Sequence, residues 1–181
     1  CALMVALARQ LKLDDEQTRV AGMAGLLHDL GKIATPMVVL KKPSRLTDQE
    51  FDVVRNHSAS GYQILKKSVN LPEAVLDACL HHHEKMDGTG FPKGLKRDQM
   101  SVPARMMAIA DIFEALTSKD RPYKKPMSIS VALTILKKMK DDKHIDPDLF
   151  NLFVKHKVWL KYAERYLGKE QIDLEDASKF L

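Results

Sequence analysis

The sequence predicts an all-α fold, one compact single-domain helical bundle spanning residues 1–181. Apolar residues recur at three- and four-residue steps through most of the chain. No alternating strand pattern of useful length appears. No repeat, low-complexity segment or shift in composition marks a second domain.

The elements follow in order. Met4, Leu7, Ala8 and Leu11 share one helical face; Val20, Met23, Ala24, Leu27 and Leu30 share another. Asp14 or Asp15 is placed to cap the second helix, and Gly31 to stop it. Thr47-Asp48-Gln49-Glu50 has capping-box spacing and predicts a helix running through His57. A helix beginning near Pro72 carries Ala74, Leu76, Cys79 and Leu80 towards three consecutive histidines. From Lys85 to Gln99 glycine, proline and charge predominate, so this stretch reads as a loop. Ser101 caps a helix bearing Met106, Met107, Ile109, Ala110 and Phe113, and Ser128 caps another bearing Ile129, Ala132, Leu133 and Leu136. Asp146-Pro147 reads as an N-cap and first-turn proline, opening a helix with Leu149, Phe150 and Phe153. The stretch from Val158 to Leu181 reads as one or two shorter helices.

Composition narrows the class. Hydrophobic residues make up 45% and charged residues 29% of the 181, which is globular. The two cysteines, Cys1 and Cys79, have no paired spacing. This argues against a disulfide framework or thiolate zinc site and fits a reducing, cytoplasmic compartment. No apolar run approaches the roughly 20 residues that span a bilayer, so no membrane contact is expected from this segment. The net charge of +5 suits an anionic substrate. Lysine and arginine are nevertheless spread along the whole chain, which argues against polymeric nucleic acid. The chain opens on a helix already under way, so a longer protein is expected upstream.

Chemistry is concentrated in four places: His28-Asp29-Leu30-Gly31-Lys32, His57, His81-His82-His83-Glu84, and Asp111. They hold enough imidazole nitrogens and carboxylate oxygens for two metal ions, a centre that clamps both oxygens of a phosphodiester during in-line displacement. At a fraying helix end a His-Asp pair can converge, with Asp29 bridging two cations. The donor set suits iron, manganese, cobalt, nickel or zinc better than magnesium or calcium. Lys32 could meet a phosphate oxygen. Each piece also has a plainer reading. A lone His-Asp pair is more often a helix C-terminus. His57, beside Arg55 and Asn56, would more often be exposed. Asp111 in an apolar helix needs a partner, and an ion pair with Arg105 or Lys119 would serve.

The motifs His28-Asp29-x-Gly31-Lys32, His57, and His82-His83-Glu84-Lys85-x-Asp87-Gly88-x-Gly90-Phe91-Pro92 resemble those of the HD-GYP family. Ala110-Asp111-Ile112-Phe113-Glu114-Ala115-Leu116-Thr117 and Arg121-Pro122-Tyr123-Lys124 resemble it too. The likeness covers most of residues 1 to 150. That family is a branch of the HD phosphohydrolases that cleaves cyclic di-GMP. The resemblance implies a bundle of the HD-domain type and metal ligands at His28, Asp29, His57, His82, His83 and Asp111, with Asp29 bridging. It implies a catalytic role for Asp29 and Lys32, Lys32 on the scissile phosphate, and ligand binding at Phe91, Arg121 and Lys124. His81 is the extra member of its run.

Two departures stand out. Phe91 replaces the family's tyrosine, and the family's further ligand helix would fall before Cys1. The implied activity is metal-dependent hydrolysis of cyclic di-GMP to linear pGpG, then GMP, in bacterial signalling. The implied cofactors are two or three divalent ions, iron or manganese foremost. An upstream sensor domain and a homodimer are the implied protein partners. The rival readings are a catalytically weak cyclic-dinucleotide sensor or interaction module, and a generic HD phosphohydrolase for another nucleotide.

Overall fold

Local capping chemistry sets the helix starts in the computed structural model of the chain, which describes residues 1–67, 70–119 and 126–181. After α1 (Ala2–Gln10), α2 (Asp15–Leu27) opens on a capping box: Asp14 accepts from the Gln17 amide at 2.7 Å and Gln17 accepts from that of Asp14 at 3.2 Å. Thr47 and Glu50 form the same reciprocal pair at the start of α4 (Asp48–Arg55), which follows the one-turn α3 (Met37–Leu40). Each such cap contributes about 1 kcal/mol. Then come α5 (His57–Lys66), α6 (Glu73–His81), α7 (Val102–Thr117), α8 (Ile129–Asp141), α9 (Pro147–Lys155) and α10 (Val158–Tyr166). The described residues contain no strand, only an isolated bridge between Asp87 and Lys96. The all-α expectation stands.

Three local expectations are corrected. Gly31 does not stop α2, which ends at Leu27; Gly31 lies in a following 3₁₀ turn, Leu30–Ala34. The helix from Thr47 does not run through His57, because a turn at Asn56 separates α4 from α5. Ser128 occupies the N-cap position of α8 without a side-chain cap bond; its hydroxyl lies 3.2 Å from that of Ser130. The bend at Asn56 falls where the turn carrying Gly31 meets the backbone of α5.

The core is built around α7. Its Met106, Ile109 and Phe113 are fully buried among Leu7 of α1, Leu133 and Leu136 of α8, Phe150 and Phe153 of α9, and Trp159 of α10. Burying each such side chain contributes about 1.5–3 kcal/mol. Asp146, 1% exposed, accepts from the amides of Asp148 and Leu149 at the start of α9 and pairs with Arg105 of α7. A second, smaller cluster of Leu65, Leu76 and Cys79 joins α5 to α6, with Leu27 and Leu30 against it. The end of α2, the start of α5, the end of α6 and the middle of α7 therefore converge on one region.

Candidate metal centre

All six residues expected as ligands meet there. His28 follows the last turn of α2, its Nδ1 donating to the Gly25 carbonyl at 3.2 Å. Its Nε2 lies 3.5 Å from Asp29 Oδ2 and 3.5 Å from Asp111 Oδ1. Asp29 Oδ1 faces the other way, 3.3 Å from His57 Nε2 and 4.0 Å from His82 Nε2. His57 and His82 approach to 3.2 Å between their Nε2 atoms, and so do His57 and His83. His57, His82 and His83 form one group able to hold an ion; His28, Asp29 and His82 form another. His82 belongs to both groups, and the two oxygens of Asp29 face different nitrogens.

The hydrogen bonds at the outer nitrogens test whether a cation fits. A carbonyl only accepts, so Nδ1 of His57 must donate to Val54 (2.6 Å) and Nδ1 of His82 to Cys79 (2.8 Å). In the neutral rings this leaves the Nε2 lone pairs directed into the cluster. Two such lone pairs at 3.2 Å repel unless a cation lies between them. Burial drives the protonation of His82 far down and that of His83 to about 4, each opposed by Asp111 and reinforced by neighbouring imidazoles. At His82 and His83 a proton is therefore disfavoured as that cation at neutral pH. A divalent metal fits, with backbone carbonyls orienting its imidazole ligands as in known metal sites. His28 Nε2, buried with no hydrogen-bond partner and facing two carboxylates, fits in the same way.

The carboxylates are prepared to stay charged. Burial would raise the Asp29 carboxyl, but the contact with His57, then His28 and Lys32, holds it well below the usual carboxylate range. Asp111 is likewise lowered, burial being outweighed by His28. The plainer ion-pair reading of Asp111 is not what forms: Arg105 pairs with Asp146, and Lys119 with Glu170 at 3.3 Å. His57 is not exposed but 3% accessible.

Two glycines allow this. A Cβ on Gly31 would stand 1.8 Å from the His57 carbonyl oxygen and 2.4 Å from the Gly61 amide nitrogen, and one on Gly61 would meet Cys79 Sγ at 2.9 Å. The buried Cys79 thiol, pushed up to about 11 by burial and then Asp29, donates to the His28 carbonyl at 3.3 Å. It acts as a structural donor rather than a nucleophile.

Lys32 is ion-paired with Asp29 and about a third exposed, so its ammonium borders the cluster. Phe91 stacks on His83 with centroids 4.8 Å apart and planes 28° apart. Arg121 and Lys124 lie outside the described residues. His81 turns away, bonding Asp77 at 2.8 Å. Sequence reasoning assigned no role to Glu84, which is 2% exposed and accepts from the Lys93 amide at 2.7 Å and the Leu95 amide at 3.0 Å. These bonds fold the glycine loop back onto the histidines. The adjacency of Glu84 to His83 was the signal available.

A helical bundle that gathers imidazoles and carboxylates from three helix ends and the middle of α7 defines a class of metal-binding protein. The chain belongs to the HD domain family, whose profile matches residues 1–149. That family binds divalent metal, in agreement with the histidine–aspartate cluster. The chain is 50% identical over 155 residues to cyclic di-GMP phosphodiesterase PA4108 of Pseudomonas aeruginosa, covering 86% of this chain and 37% of that one. It is 44% identical over 131 residues to the cyclic di-GMP phosphodiesterase response regulator RpfG of Xanthomonas campestris, covering 71% and 34%. It thus spans about a third of the length of these relatives. Its fold is similar to that of Bd1817, an HDG"Y"P protein from Bdellovibrio bacteriovorus, with a TM-score of 0.66 at 22% identity over 89% of this chain and 51% of that one. No helix among the described residues is long and apolar enough to cross a membrane.

Proposed function

We propose that the domain is a metal-dependent phosphodiesterase that hydrolyses cyclic di-GMP to linear pGpG and then GMP, in cytoplasmic second-messenger signalling. The observation that carries this is the convergence of tautomer-fixed Nε2 atoms and the Asp29 carboxylate on one buried cluster. His28, Asp29, His57, His82, His83 and Asp111 would hold two ions, or three with a ligand supplied from elsewhere, iron or manganese foremost. Bound ions of this kind supply Lewis acidity and a water of lowered pKa.

The chain's own residues do the rest. Backbone carbonyls of Val54 and Cys79 fix the orientation of His57 and His82. Lys32, paired with Asp29 and about a third exposed, adds positive charge where the transition state gains negative charge. Phe91, packed between the His83 ring and the Arg55 guanidinium, places the edge of an apolar ring beside the cluster. An upstream sensor domain and a second copy of the chain are the protein partners this reading adds. The names of the two relatives support cyclic di-GMP as substrate.

The test is to load the protein with manganese or iron, measure bound metal, and follow cyclic di-GMP by chromatography. Hydrolysis to pGpG that stops with a chelator and returns with metal is expected. A protein that carries metal and binds cyclic di-GMP but leaves it intact would be the sensor instead.

A further inference from the structure

His81 is the histidine of its run that stays out of the cluster, and its contacts lead to the neighbouring helix. It is 7% exposed, and its Nδ1 lies 2.8 Å from Asp77 Oδ1, one turn back on α6. The other oxygen of Asp77 accepts from the Ser101 hydroxyl. Ser101 is the N-cap of α7, where the same hydroxyl oxygen accepts from the Ala104 amide at 3.2 Å. Burial would raise the Asp77 carboxyl, but His81 and then Ser101 hold it below its ordinary value, so both oxygens stay acceptors. A carboxylate thus joins the last turn of α6 to the first turn of α7. His81 Nε2 is buried with no hydrogen-bond partner. An apolar side chain would fill the same space without that cost, so what the imidazole adds is its bond to Asp77.

Both joined ends carry residues of the cluster. His82 and His83 follow His81 directly, and Asp111 lies ten residues beyond Ser101 on α7. Ala78 of α6 shares the main core with Met107 and Ala110 of α7. Apolar packing of this kind is non-directional, so it sets how closely the helices lie rather than their register. A hydrogen bond is directional, and the one from Ser101 to Asp77 fixes that register. Metal sites tolerate about 0.2 Å in ligand distance, so register matters at the cluster.

We infer that Asp77 is a positioning residue for the metal centre: through His81 and Ser101 it sets His82 and His83 against Asp111. This role rests on the proposed assignment of those three residues as ligands, and manganese binding separates the two claims without any turnover. Manganese is titrated into metal-free protein and the free ion followed by electron paramagnetic resonance, well below the Tm of each variant. Thermal unfolding is recorded in chelator. The proteins are the parent, Asp77→Ala, Ser101→Gly, the double variant, Ser101→Thr and His83→Ala. Glycine is nearly as good an N-cap as serine, so Ser101→Gly removes the bond to Asp77 and keeps the start of α7. Ser101→Thr keeps both.

Asp77→Ala and Ser101→Gly should each weaken manganese binding about 10–100-fold, as loss of a group that orients a ligand does. The double variant should bind no more weakly than Asp77→Ala, since both changes break one bond. Ser101→Thr should bind like the parent. A bond that served the fold alone would lower the Tm in chelator and leave the manganese affinity of the folded protein unchanged. Unchanged affinity in Ser101→Gly, while His83→Ala loses manganese, therefore overturns the role and leaves the metal centre standing. That comparison holds even where Asp77→Ala fails to fold. Equal manganese affinity in the parent and His83→Ala removes the metal centre, and the role of Asp77 with it.

Discussion

Replacing Gly31 by alanine should dismantle the metal cluster without touching a ligand. The added Cβ would stand 1.8 Å from the His57 carbonyl oxygen, whereas real Cβ atoms essentially never come within 3.0 Å of a neighbour. A gap of more than 1 Å must open, and both obstacles, that carbonyl and the Gly61 amide, are backbone. The 3₁₀ turn must therefore lift from α5 and carry Asp29 away from His57, now 3.3 Å apart. Metal sites tolerate about 0.2 Å in ligand distance, so the cluster cannot absorb the shift. Overpacking of this kind costs about 3 kcal/mol, which in a chain of this size lowers Tm by roughly 6–12 °C.

The assay is elemental analysis of purified Gly31→Ala beside Gly22→Ala, with thermal unfolding in chelator. Gly22 is the fair control, since its Cβ would meet side-chain atoms rather than backbone, Val5 Cγ2 at 3.1 Å and Cys1 Sγ at 3.9 Å. Metal loss and a lowered Tm confined to Gly31→Ala are expected. Full metal content and an unchanged Tm in Gly31→Ala would refute the close-approach argument.

Three further outcomes are expected. Asp29→Ala should lose more metal than His57→Ala, because the two Asp29 oxygens face different nitrogens; equal, full occupancy in both folded variants would remove its bridging role. Lys32→Ala should lower the turnover number on the order of 10²–10³ while a non-hydrolysable cyclic di-GMP analogue binds with little change; a loss confined to affinity would make Lys32 a binding residue only. Without metal, His83 titrates near 4 when folded and 6.5 when unfolded, so its contribution is full above pH 6.5 and is lost as pH falls through about 4. That amounts to about 3 kcal/mol. His28, raised by Asp111 and Asp29 against its burial, works in the opposite sense at higher pH. Denaturant melts of parent and His83→Gln in chelator should therefore diverge in pH dependence across that window, and parallel curves would contradict the assignment.

Much of this architecture was legible because its signals are local. Asp14 with Gln17, Thr47 with Glu50, Ser101 and Asp146-Pro147 each declare a helix start within four residues. Asp111 stood out because a carboxylate among Ala110, Ile112 and Phe113 requires a partner. The burial of His57 was not legible, since it depends on Gly31 and Gly61 meeting across 30 positions of sequence. The role of Glu84 was hidden for a related reason: its partners are backbone amides, which carry no side-chain signature. Arg55 looked like a solvated charge because its partner Phe91 lies on a distant loop.

His83 has its Nε2 in the cluster and its ring face on Phe91. If its nitrogen holds metal and Phe91 meets the nucleotide, the two ligands rest on two rings in direct contact. Thermodynamic reciprocity then applies: whatever factor metal adds to nucleotide affinity, nucleotide adds to metal affinity. In a cell where iron or manganese is scarce, a rise in messenger would help to load the domain. The protein would read the product of the two concentrations rather than either alone.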